Sequence, residues 1–168
     1  VGSNMKAGKG IAPVKEMIEH GIAVGLGTDG PSSGNTLDLF TQMKIAVYAQ
    51  KTHYKDRSLF EAQEIIKLAT IGGAKALKMD ARIGSLEVGK QADIVLIETD
   101  SVNMFPIYDP YSAIVYSANA SNVDSVWING VRVLNHKQSI FNQQEIKIAL
   151  QQEMQQFQKR AVERSKEL

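Results

Sequence analysis

Apolar residues recur at helical spacing near the start of the chain. In "IAPVKEMIE", Ile11 to Glu19, Val14, Met17 and Ile18 share a face, Pro13 suits a first turn, and His20-Gly21 supplies a cation and a glycine stop. The next run, "IAVGLGTD" (22–29), is continuously apolar over a strand's length, the pattern of a strand buried on both faces. A helix feeding such a strand predicts a βα unit and a parallel sheet. Beyond the loop "GPSSGN", the segment "TLDLFTQMKIAVYAQ" places Leu37, Phe40, Met43, Ala46 and Val47 on one helical face, with Asn35 available as its N-cap. "SLFEAQEIIKLAT" opens with Ser58 and Glu61 at capping-box spacing, and "IGGAKALKM" continues helical past a glycine pair.

From Gly84 the periodicity becomes strand-like, through "ADIVLIE", "SAIVYSA" and "VDSVWINGVRVL". In the last, Asn129-Gly130 between alternating apolar runs predicts a two-residue hairpin. The final segment, "QQEIKIALQQEMQQFQKRAVERSKEL", aligns Ile146, Ala149, Leu150, Met154, Phe157 and Ala161 on a long and otherwise polar helix. That stripe is expected to dock on the body of the protein, since an a/d seam lasts too few heptads for a coiled coil. No internal repeat is present, and the Gln-rich start of this helix reads as its solvated face.

Composition narrows the function classes. The chain has 168 residues, 43% of them apolar, enough to fill a core and too many for a disordered protein. With 19 Lys+Arg against 18 Asp+Glu the net charge is +1, which gives no electrostatic reason for a nucleic-acid or membrane partner. There is no cysteine, hence no disulfide framework and no thiolate metal site. No apolar run approaches the ~18 residues of a spanning helix. These features lead us to expect a cytoplasmic protein acting on a small molecule. The opening "VGSNMKAGKG" lacks an initiator Met and any obvious start to a domain, and reads as part of a longer chain.

The stretch "VGLGTDGPSSG" admits incompatible readings. Gly25, Gly27 and Gly30 spell G-x-G-x-x-G, the loop of dinucleotide-binding domains, but Gly30 leads into "PSSGN" rather than a helix and no strand ends at Asp56 to bind a ribose. Alternatively the strand ends in a carboxylate, Asp29, at the carboxyl end of a parallel barrel, where such barrels assemble their active sites. Asp also caps turns, so the loop alone leaves a capping Asp29 and a functional Asp29 equally open.

Longer stretches carry a family resemblance. "SNMKAGKGIAPVKEMIEHGIAVGLGTDGPSSGNTLDLF" resembles the end of the metal-dependent amidohydrolase barrel, in the branch of the 5-methylthioadenosine/S-adenosylhomocysteine deaminases and triazine chlorohydrolases. "ATIGGAKALKMDARIGSLEVGKQADIVLIE" resembles that family's barrel-closing helix and its G-S-L-E-x-G-K-x-A-D signature, and "YDPYSAIVYSANASNVDSVWINGVRVL" its continuation. Ala7 and Lys9 stand where relatives often have Leu and Ser, and Pro31 to Gly34 replaces a more usual Ala-Ser-Asn run, differences that bear on the substrate rather than the reaction class.

The resemblance implies an α/β fold: the C-terminal part of a (β/α)8 TIM barrel over residues 1–80, a segment of a small composite β-sandwich over 81–137, and an amphipathic helix over 138–168. It implies hydrolytic deamination of an adenosine-type nucleoside, with one divalent metal, zinc or iron, lowering the pKa of the attacking water. Asp29 matches the metal-ligating aspartate of the eighth strand and is the candidate for ligand and proton acceptor together. The family's histidine ligands have no counterpart here, since His20 ends a helix, His53 lies in a polar stretch and His136 follows the hairpin. Ser3-Asn4 resembles the family's S-N pair after the seventh strand, and Ser33 and Asn35 lie in the loop above Asp29; Asn4, Ser33 and Asn35 are candidate substrate contacts, with turn-making and capping as their alternative roles. The complete enzyme is expected to be a homo-oligomer. Chloride as leaving group, a non-catalytic module derived from this family, and a nucleotide-binding α/β domain remain alternatives.

Overall fold

A computed structural model describes residues 1–165. Two short helices, α1 (Gly2–Lys6) and α2 (Val14–Glu19), precede the run 22–29, and a one-turn helix α3 (Pro31–Gly34) follows it. The long α4 (Leu39–Tyr54) then crosses α5 (Ala62–Lys67), which widens into a π turn at Leu68–Gly72 before α6 (Gly73–Ala76). The helix predicted over 11–19 is present as α2. His20 closes it, its Nδ1 lying 2.8 Å from the Glu16 carbonyl oxygen, and Gly21 follows at a φ of 72°.

The caps differ from expectation. The Asp38 carboxylate accepts from the Phe40 amide at 2.9 Å and from the Thr41 hydroxyl at 2.6 Å, so α4 starts at Leu39 and Leu37 is left outside it. Asn35 instead ends α3 in the left-handed conformation. On α5 the reciprocal box joins Glu61 with Glu64, whose side chain accepts from the Glu61 amide at 2.8 Å; Ser58 belongs to a turn made by Asp56.

The core lies where α4 meets α5 and the turn at Ala113–Ser117. Met43, Val47, Phe60, Ala62, Ile65 and Val115 pack together, with Leu26 and Leu68 against them. Burying the larger of these side chains contributes about 1.5–3 kcal/mol each, and the spacing of Met43 and Val47, one helical turn apart, follows from the predicted face. α2 is fastened to α4 by Gln50, whose amide donates to the Ala12 carbonyl at 2.8 Å, and by the Tyr54 hydroxyl donating to Glu16.

The run 22–29 is not a strand. Among the described residues no parallel neighbour lies beside it to complete a ladder, and only alternate residues, Val24, Leu26 and Thr28, are even half-buried. It is held instead by backbone contact with the π turn. Leu26 N donates to Leu68 O at 3.0 Å. Gly25 sits so close to Gly73 that a Cβ on it would fall 2.5 Å from the Gly73 Cα, and one on Gly72 would fall 2.7 Å from the Val24 carbonyl oxygen.

Residues beyond 80 form one antiparallel sheet in sequence order: β1 (Ile94–Ile97), β2 (Val123–Ile128), β3 (Val131–Asn135) and β4 (Gln138–Ser139). Asn129 and Gly130, with φ of 49° and 78°, turn β2 into β3 as predicted, Ile128 facing Val131. Asn129 N donates to the Asp93 carboxylate at 2.7 Å and ties the turn to the approach of β1. "SAIVYSA" is helical rather than extended: Asp109 caps the one-turn α7 (Pro110–Ser112), which runs into the π turn 113–117. With an N-cap and Pro at the first position, the helical start outweighs β-branched propensity.

The last helix, α8 (Gln143–Ser165), forms, but its stripe is open: Ile146 is 48%, Leu150 64% and Phe157 65% exposed. The expected docking is therefore absent among the described residues, and the final three residues of the predicted helix lie outside them. No helix among the described residues is long and apolar enough to cross a membrane.

The two glycines of the π turn predict opposite outcomes. A Cβ on Gly72 meets the Val24 and Lys67 carbonyl oxygens at 2.7 and 2.9 Å, whereas one on Gly73 meets nothing nearer than 3.8 Å. Gly72→Ala should lower stability by about 1–3 kcal/mol in urea unfolding, while Gly73→Ala should be neutral or stabilising through helix propensity. Equal effects would contradict the contact.

Candidate active site

Two segments far apart in sequence converge beside the end of the run 22–29. The first is α1, whose Gly2 amide donates to the buried Gln42 side chain of α4 at 2.9 Å. The second is the loop from Asp29 through α3. Asp29 is a non-glycine residue at a φ of 62°, a conformation costing roughly 1–2 kcal/mol for most L-residues and least for Asp and Asn. The Gly30 amide offsets that strain by donating to Asp29 Oδ1 at 2.7 Å. The carboxylate thus satisfies the next amide while staying exposed, and the N-cap of α3 is Gly30, with no side-chain cap bond from Asp29.

Asp29, Ser3, Asn4, Lys6, Lys9 and Ser33 line an open cavity of about 220 Å³. Of the sequence-predicted site residues, Asp29, Asn4 and Ser33 share that cavity. Asn35 does not line it, because its side chain accepts from the Lys6 ammonium. The hydrogen bond from the Gly30 amide holds the Asp29 carboxyl below its ordinary 3.8, with the Ser3 and then Ser33 hydroxyls adding to it against slight desolvation. At neutral pH the group is therefore an anion with hydroxyl donors beside it.

Lys6 was not singled out by the sequence reading. The available signal was its spacing, three residues after Ser3, which puts both on one face of a single helical turn.

The three histidines lie elsewhere. His20 caps α2, His53 packs edge-on against Tyr54 with centroids 4.8 Å apart, and His136 pairs with Asp124 at 3.2 Å. Among the described residues no three His, Asp or Glu side chains gather as a metal site. A protein zinc site takes three or four protein ligands, so Asp29 by itself does not hold an ion, and the residues present do not fit a complete centre. The dinucleotide reading also fails on geometry: Gly25 is used against Gly73, and Gly30 opens only the four-residue α3.

Residues 1–133 match the Amidohydrolase family, and the chain belongs to that family. Among its relatives, 5-methylthioadenosine/S-adenosylhomocysteine deaminase 1 of Syntrophus aciditrophicus is 44% identical over 144 residues, covering 85% of this chain and 32% of that protein. An adenosine deaminase from Xanthomonas campestris, crystallised with bound zinc, superposes with a TM-score of 0.86 at 32% identity, over 92% of this chain and 35% of that one. The zinc-complexed atrazine chlorohydrolase of Arthrobacter aurescens reaches a TM-score of 0.80 at 26% identity, over 89% of this chain and 33% of that one. The α/β fold thus matches amidohydrolase structures, and the chain spans about a third of the length of these relatives.

The carboxylate geometry predicts its titration. By NMR, Asp29 should titrate below 3.8, and replacing Ser3 and Ser33 together with Ala should raise its midpoint part of the way back. Because the folded value is depressed, the associated stability is present above 3.8 and is lost as pH falls through the folded midpoint. A midpoint at or above 3.8 would contradict the hydrogen-bonded placement.

Proposed function

We propose that this chain is the C-terminal third of a hydrolase that removes the amine from an adenosine-type nucleoside, of the 5-methylthioadenosine/S-adenosylhomocysteine class. The observation that carries the reading is the convergence of Asp29 with Ser3, Asn4 and Ser33 on one cavity, in a chain 44% identical to such a deaminase. In this reading residues 1–80 are the last βα units of a (β/α)8 barrel, 81–137 a segment of a composite β-sandwich, and 138–168 a terminal helix. The run 22–29 then takes strand form only between neighbours from the rest of the barrel.

Hydrolytic deamination adds water across the ring C=N bond, hydroxyl to the carbon bearing the amine and proton to the ring nitrogen; the bond to the amine then breaks and ammonia leaves, giving a carbonyl. Asp29 is the carboxylate for that step: ionised at neutral pH, it can orient the water and accept its proton, while the Gly30 amide holds one of its oxygens. Asn4 and Ser33 offer amide and hydroxyl groups to the substrate from the cavity wall. One divalent metal, zinc or iron, is part of the proposal, with Asp29 as the single donor this chain supplies. Cytoplasmic residence, with which a chain free of cysteine is compatible, and a homo-oligomeric complete enzyme complete the reading.

The test is ammonia release from 5-methylthioadenosine and S-adenosylhomocysteine by the full-length protein. Turnover of either is expected, and Asp29→Asn should reduce it by about 10²–10⁴-fold. Chloride release from atrazine with no ammonia from either nucleoside would overturn the leaving-group assignment, and near-normal turnover by the variant would remove Asp29 from the chemistry.

A further inference from the structure

The cavity is framed by α1 on one side and the loop 29–35 on the other, and what fixes the distance between them is Lys6. Its ammonium donates to the Ser33 carbonyl at 3.2 Å, 27 residues away, and to the Asn35 side-chain oxygen, 29 residues away. None of the ion pairs among the described residues involves Lys6, so both contacts are to neutral oxygens of this loop.

The acceptors have a reason to be there. Ser33 lies at the end of the single turn α3, where carbonyls lack helical partners and a cation is favoured. The turn itself is held by few bonds: the Ser33 and Gly34 amides donate to Gly30 O, and the Asn35 amide to Pro31 O, each at 3.0 Å. It is bracketed by two left-handed non-glycine residues, Asp29 and Asn35, with φ of 62° and 60°. A loop with strained ends and so few bonds is weakly determined by itself. An external two-point tether therefore selects its conformation.

We propose that Lys6 is a positioning residue, clamping the Asp29–Asn35 loop to α1 so that the Asp29 carboxylate and the Ser3 hydroxyl face one cavity. Its consequence for turnover rests on the deaminase reading above; its consequence for the loop does not. Lys6 is exposed, so its replacement spares the core. Lys6→Met keeps the stem and removes the donors, whereas Lys6→Arg keeps donors able to reach two acceptors.

Both variants are compared with wild type in the full-length protein by hydrogen exchange and steady-state kinetics. In Lys6→Met the amides of Ser33, Gly34 and Asn35 should exchange about tenfold faster while those of α4 are unchanged. With the nucleoside the wild type deaminates, kcat should fall about tenfold with KM within about twofold, and Lys6→Arg should restore most of both losses. Unchanged exchange at Ser33–Asn35 in Lys6→Met overturns the clamp, as does faster exchange with unaltered kcat. If the wild type deaminates no nucleoside, the deaminase reading fails alone and the exchange comparison still decides the clamp.

Discussion

The fold turns on a contact between two backbones. At the π turn Leu68–Gly72 the helix opens, and the Leu68 carbonyl accepts from Leu26 while Gly25 and Gly72 let the main chains touch with no side chain between them. A π turn shifts the helical hydrogen-bond register by one residue and so makes a carbonyl available to an outside donor. The contact sets the path of residues 24–28. Asp29 comes next in the chain, so this contact between small residues fixes where the carboxylate emerges. Leu26, on the same segment, reaches the cluster around Ile65 and Val47, joining the path of the site to the best-buried part of the protein.

Around Asp29 the structure combines constraint with exposure. The carboxylate uses one oxygen to satisfy the next amide, which relieves a left-handed backbone and keeps the group ionised, yet it stays open to the cavity. An ionised, exposed carboxylate of this kind can hold a cation, align a water and accept its proton.

Much of this was legible in the sequence, and the exceptions share a cause. Local chemistry fixes α2, α4, α5 and the Asn129-Gly130 hairpin, and in each the apolar spacing or turn residues identified the element. The run 22–29 is unpaired among the described residues because a parallel strand depends on neighbours, which periodicity cannot supply. "SAIVYSA" is helical despite its strand-like pattern because Asp109 and Pro110, just upstream, start a helix that its β-branched residues do not prevent. Asp29, Asn4 and Ser33 were recoverable because a family pattern covers them. Lys6 was not, since its partners lie 27 and 29 residues away and nothing local signals the contact.

We propose that Asp29 is this chain's contribution to the metal centre of a longer amidohydrolase. Anomalous diffraction from crystals of the full-length protein, recorded at the zinc and iron absorption edges, tests it most directly. An anomalous peak is expected within about 2.0–2.2 Å of an Asp29 carboxylate oxygen, the usual metal–carboxylate bond length. A fully occupied metal bonded to other residues, with Asp29 still turned only to Gly30 and the neighbouring hydroxyls, would contradict it.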